Sequence, residues 1–169
     1  MPDREGQAQE SGARQSPSPH PDSLVPSATG IRRAAMDWLA RREYCRHELE
    51  QRLGRRFPGA TAAIGPVLDQ LEHEGLLSDA RFSEFLVRSR AGRGYGPQRI
   101  AAELRQHHLS LPAGSGEDWL ARAREARRRK FGDALPADAA SRAKQMAFLQ
   151  RRGFPAEICR AACRASADD

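Results

Sequence analysis

The chain has 169 residues, with 28 basic and 22 acidic side chains and a net charge of +6. That length holds one ordinary domain or a row of small modules, and no apolar run of the ~18 residues a membrane span needs is present. The charge is uneven: residues 1–30 carry −2 (Arg4 and Arg14 against Asp3, Glu5, Glu10 and Asp22) and the remainder +8. This points to an acidic partner, either nucleic acid or a protein filament wrapped on it.

Residues 1–29 contain Pro17, Pro19, Pro21 and Pro26 among Ser, Gln and Gly. So few apolar groups cannot offset the entropy of ordering, and a disordered tail is expected. It holds no apolar signal core, which argues against export. Then Ile31, Ala34, Ala35, Trp38 and Leu39 recur at the spacing of one helical face. A second helix starts near Cys45, buries Leu49 and Leu53, and ends at Gly54 and Phe57-Pro58-Gly59. A third carries Ile64, Val67, Leu68 and Leu71 to a stop at Gly75, with Gly65-Pro66 marking a ragged first turn.

A second module opens at Ser78 or Asp79 as N-cap, with Phe82, Phe85 and Leu86 facing inward. Gly92-Arg93-Gly94 breaks that helix; Gly96 caps the next and Pro97 fills its first position, where a missing N–H is harmless. Ile100 and Leu104 form its buried stripe, Leu109 closes the turn before Pro112, and a helix from about Gly116 through Trp119, Leu120 and Ala123 to Lys130 completes the module. In a third module Pro136 starts a helix through Ala143, Met146 and Leu149, and Pro155 opens a last one holding Ile158 and Ala162. Almost no segment alternates with period two. The expected fold is all-α, an elongated tandem repeat of three-helix modules over 30–77, 78–131 and 132–165, with a C-terminal tail at 166–169.

The repeat itself is legible. Tyr95-Gly96-Pro97-Gln98-Arg99-Ile100 to Leu104 echoes Tyr44-Cys45-Arg46-His47-Glu48-Leu49 to Leu53. In each, an aromatic precedes an aliphatic by five residues and a leucine by nine. Stacked helical modules usually present a surface rather than enclose a reaction. Tyr44 and Tyr95 read as staples of helix N-termini rather than as a base-stacking platform.

Enzyme signatures are missing. Gly92 to Gly96 lacks the preceding strand and glycine spacing of a phosphate loop. His47-Glu48 has no histidine three residues on, as a helical zinc pair needs. His107-His108 reads as a helix end favoured by its dipole. Cys45, Cys159 and Cys163 form no paired framework, which fits a reducing cytoplasm; Cys159 and Cys163 read as small buried apolar residues. No metal or cofactor is expected.

Basic clusters remain. Between Arg90 and Lys130 stand ten cations against four acids, a local +6. Arg124, Arg127 and Arg128 share one helical face, and like charges so placed destabilise unless an anion approaches. Arg151 and Arg152 form a smaller cluster. The preference for arginine, with only Lys130 and Lys144 as lysines, suits phosphate and carboxylate pairing. Codon bias in a GC-rich genome explains it equally well.

The run from Asp79 to Arg90, followed by Gly94-Tyr95-Gly96-Pro97 with Ile100 and Glu103-Leu104, resembles the RecX family of recombination regulators. So do Trp38 to Tyr44 and Phe148 to Phe154. The resemblance spans residues 31–165. It implies a cytoplasmic, non-enzymatic protein of tandem three-helix repeats that docks in the groove of the RecA recombinase filament. There it would restrain ATP hydrolysis, strand exchange and the repressor cleavage of the SOS response, thereby regulating DNA repair and recombination. It also implies modest DNA binding. Cys45 stands where the family commonly has a capping serine, so the first repeat is expected to fray more. The contacts expected on partner or DNA are Arg90, Arg93, Arg99, Arg105, Arg124, Arg127, Arg128, Arg129, Lys130, Arg151 and Arg152, on a monomer. Rival readings are a sequence-reading helix-turn-helix protein, with residues 98–109 and 120–130 as its helices, and a nonspecific nucleic-acid coating protein.

Overall fold

A computed structural model describes residues 27–164, which contain eight α-helices and no strand. The expected N-terminal tail lies outside them up to residue 26. Residues 27–29 already belong to the fold: Ser27 caps the first helix, its Oγ accepting from the Gly30 N–H at 3.2 Å.

The first unit comprises α1 (Ala28–Leu39), α2 (Arg46–Arg56) and α3 (Thr61–His73). Its core gathers Ile31, Ala35, Leu49, Leu53, Ile64, Leu68, Leu71 and Leu77. Two expected breaks do not occur. Gly54 stays helical and α2 ends at Phe57, while Pro66 lies within α3 rather than in a ragged start. Tertiary packing of Leu53 on one side and of Ile64 and Val67 on the other holds both helices through the weak positions.

The second unit comprises α4 (Asp79–Gly92) and α5 (Pro97–Gln106), which bury Phe82, Leu86, Val87, Ile100 and Leu104. Ser78 is the N-cap of α4, and Gly96 with Pro97 opens α5 as the sequence predicts. Phe85 differs. It is 37% exposed, because Phe82 and Leu86 already fill the inward stripe.

The expected boundary at residue 131 gives α6 (Trp119–Phe131) to the second unit. Instead α6 packs on α7 (Ala139–Arg151) and α8 (Ala156–Ala162), and Ala123 and Ala126 join Leu149, Phe154, Cys159 and Ala162 in a third core. Residues 107–118 form the connection between α5 and α6 and carry no helix. The α6 stripe is alanine-rich and therefore thin, so it admits close helix neighbours, which α7 and α8 supply.

One helix end recurs four times. After α3, α4, α5 and α7, a residue in the left-handed region (Gly75, Gly94, His108 and Gly153) is followed by an N–H donating five residues back. The bonds are Leu76 to Leu71, Tyr95 to Arg90, Leu109 to Leu104 and Phe154 to Leu149. This is the Schellman closure, which satisfies orphaned carbonyls and turns the chain sharply. The repeat thus copies a stop signal as well as a hydrophobic phrase.

The units join at the N-termini of their second helices. At the first seam the Asp79 carboxylate accepts the Arg46 N–H at 2.8 Å, and Cys45 Sγ accepts the Glu48 N–H at 3.4 Å. Cys45 is fully buried among second-unit side chains. The weak thiol cap is therefore supplemented by a carboxylate from the next unit, and α2 begins at Arg46 without a lost turn. The His47 and His108 rings meet edge to face across the same seam, with centroids 4.4 Å apart.

At the second seam the contact is backbone to backbone. The Gly96 N–H donates to Arg152 O at 2.8 Å and the Gln98 N–H to Gly153 O at 3.0 Å. A Cβ on Gly96 would overlap the Gly153 carbonyl, and one on Gly153 would strike the Arg99 backbone. Gly153 also holds φ +89°, so two separate constraints demand glycine there. We expect Gly96→Ala to destabilise the protein by about 1–3 kcal/mol, the usual range for overpacking. It should also raise amide exchange at Gln98. Unchanged melting and exchange would show that the seam opens without loss.

Candidate functional site

Besides Arg127, five of the expected contacts are already engaged within the fold. Arg90 grips Glu103 with two nitrogens, Nε at 2.8 Å and a terminal nitrogen at 2.5 Å, tying α4 to α5. That hydrogen bonding holds the Glu103 carboxyl below its ordinary value. Arg128 and Arg129 share Glu125, at 2.6 and 2.8 Å, and their hydrogen bonds lower its carboxyl likewise. Arg99 lies over the Tyr95 ring at 4.3 Å, with Arg152 near the same ring at 5.1 Å. Tyr44 is flanked similarly by Arg42 at 3.6 Å and Arg52 at 5.2 Å. Both tyrosines are therefore occupied structurally, as the helix-staple reading expects.

Arg127 is a correction. Rather than sharing an exposed face with Arg124 and Arg128, it is only 5% exposed. Its guanidinium donates to Ala134 O at 2.8 Å and Asp133 O at 3.1 Å, latching the turn after α6. The clue lay in the sequence: Arg127 follows Ala123 by four residues, and Ala123 lies on the buried stripe. A cation here serves because two carbonyls that leave the helix register need donors.

The side chains of Arg93, Arg105, Arg124, Lys130 and Arg151 have no hydrogen-bond or ion-pair partner among the described residues. Two of them converge with two engaged arginines. Arg93 at the end of α4, Arg129 and Lys130 in the last turn of α6, and Arg152 at the end of α7 line one concavity of about 130 Å³, floored by Gly94, Ala126 and Phe148. Two of the four are anchored on α4's terminal carbonyls: Arg129 donates to Gly92 O at 3.2 Å and Arg152 to Arg93 O at 3.1 Å. These bonds offset the negative end of the α4 dipole, where cations are favoured. Arg105, Arg124 and Arg151 are not part of this concavity.

Sequence reasoning did not single out a second groove, lined by Arg42, Glu48, Phe82, Phe85, Arg90 and His107 among others, of about 370 Å³. It arises because residues distant in the chain meet beside the first seam, with the exposed Phe85 at its edge. Cys159 and Cys163 are buried as expected, and burial pushes the Cys159 thiol up to about 11. Among the described residues no group of three or more His, Cys, Asp or Glu could hold a metal ion. No helix there is long and apolar enough to cross a membrane.

Burial of Arg127 makes a clear forecast. Arg127→Glu should lower stability by about 3–5 kcal/mol, because it places a carboxylate against carbonyl oxygens in a buried site. Lys130→Glu should stay within about 0.5 kcal/mol, as surface changes do. Equal thermal melting of the two variants would return Arg127 to the surface.

Comparison with known proteins agrees with this architecture. The family model described as the third three-helix domain of RecX matches residues 116–163, the span of α6 to α8, and the second three-helix domain matches 78–110. The chain is 46% identical to the regulatory protein RecX of Halorhodospira halophila, covering 85% of this chain and 92% of that one. It is 44% identical to that of Pseudomonas putida strain GB-1, covering 80% and 90%. The crystal structure of RecX from Lactobacillus salivarius superposes with a TM-score of 0.63 at 18% identity, covering 80% of this chain and 93% of that one; it supports the fold.

Proposed function

The chain belongs to the RecX family, and we propose that it docks along the RecA recombinase filament and restrains its ATP hydrolysis, strand exchange and repressor cleavage. The supporting observation is a row of small cores joined by short, specific seams, with unpartnered cations placed along it. Arg93, Arg99, Arg105, Arg124, Lys130 and Arg151 are the proposed contacts, with Arg128, Arg129 and Arg152 contributing where their existing partners leave donors over. Arg90 and Arg127 are withdrawn, since each holds the fold together. Modules that each add modest affinity sum strongly when tethered, through effective concentration. A body lying across several recombinase subunits hinders the relative motions their reaction cycle needs. On this reading the protein is a cytoplasmic monomer with no catalytic residue.

A helix-turn-helix reader fits less well. The expected recognition helix, α6, packs into the third core, buries Arg127 and ties Arg128 and Arg129 to Glu125. The helix also holds no Asn or Gln with which to read adenine.

Co-sedimentation with preformed recombinase filaments tests the reading. The protein should pellet with them and slow ATP hydrolysis at less than one copy per recombinase subunit. Protein left in the supernatant, or hydrolysis unaltered at that ratio, would refute the reading.

A further inference from the structure

We propose that the concavity formed by Arg93, Arg129, Lys130 and Arg152 is a seat for one phosphate group of a nucleic-acid backbone. It rests on the RecX reading above and gives a place and a chemistry to the modest DNA binding that the family resemblance implies.

Four cations and no carboxylate line this concavity. Glu125 is the nearby acid, and it is already shared between Arg128 and Arg129. Arg129 has Nε on Glu125 and one terminal nitrogen on Gly92 O, and Arg152 has one terminal nitrogen on Arg93 O. Each guanidinium carries five N–H donors, so several remain for a ligand. Their anchoring fixes the two planes in advance and lowers the entropy lost on binding. Arg93 and Lys130 are exposed and have no partner among the described residues. Cations placed together without a counter-charge repel one another, and an oxyanion removes that repulsion.

Size and surroundings select the ligand. A volume of about 130 Å³ accommodates a phosphate but not a nucleotide with its base. The aromatic faces nearby are not available for stacking. Tyr95 is already contacted by Arg99 at 4.3 Å and Arg152 at 5.1 Å, and Phe148 by Arg152 at 5.2 Å. Backbone contact without stacking or base-edge donors carries no sequence information. The site also bridges the second seam, since Arg93 belongs to the second unit and the other three cations to the third.

The test uses the full chain without recombinase, so its outcome stands apart from the sedimentation experiment. Fluorescence anisotropy of a labelled oligo-dT is measured across a salt series. Arg93→Gln with Lys130→Gln should weaken binding at least tenfold at low salt and reduce the log–log salt slope by about 0.7, the value for one lost phosphate contact on a single strand. Arg33→Gln with Arg41→Gln removes the same charge from exposed positions in the first unit and should leave the slope unchanged. Inorganic phosphate should displace the oligonucleotide from the parent protein at lower concentration than glutamate of equal ionic strength. An equal loss in both variant pairs would mean that only total charge matters, and would overturn the proposal. Equal displacement by glutamate would mark a carboxylate site and overturn it too, as would a tenfold preference between oligo-dT and oligo-dA.

Discussion

The backbone contact between Gly96 and Gly153 is the constraint from which the useful geometry follows. Two amides donate across it, at 2.8 and 3.0 Å, and neither glycine can accept a Cβ without overlap. Because the chains touch at backbone level, the ends of α4 and α7 come together. Arg93 and Arg152 are the capping residues at those two ends. Their cations share one concavity as a consequence of the seam rather than of any attraction between them. Like charges would otherwise separate.

The first seam solves the same problem with other chemistry. A second helix again needs its N-terminal donors satisfied by the following unit, and here the Asp79 carboxylate supplies the acceptor. The side chain at the cap, Cys45, is buried in the neighbouring core, where the second seam has only Gly96. Equivalent positions in a repeat thus diverge in how closely the modules approach. One seam is side-chain mediated and the other is not. Each core is small, and its stability depends on its neighbours, as expected for modules that cannot bury a hydrophobic face alone.

Charge in this molecule divides into two populations. Arg90, Arg127, Arg128 and Arg129 satisfy carboxylates or carbonyls of the fold, and Arg99 and Arg152 cover aromatic faces. Arg93, Arg105, Arg124, Lys130 and Arg151 contribute to the external field. Net charge alone overstates the charge left for an acidic partner, because arginines already paired within the fold enter the sum.

The sequence by itself determined the helical period, the stops at Gly75 and Gly94, the opening of α5 at Gly96-Pro97, and the recurrence of the tyrosine phrase. All of these are local: a 3.6-residue period, a left-handed φ and a fixed proline φ act within a few residues. Tertiary structure alone decided that α6 belongs with α7 and α8, that Phe85 faces out and Arg127 in, and which cations remain unpartnered. Those outcomes depend on distances between residues far apart in the chain. A thin alanine stripe on α6 is compatible with either neighbour until packing selects one, and an arginine's role is set by whichever acceptor reaches it.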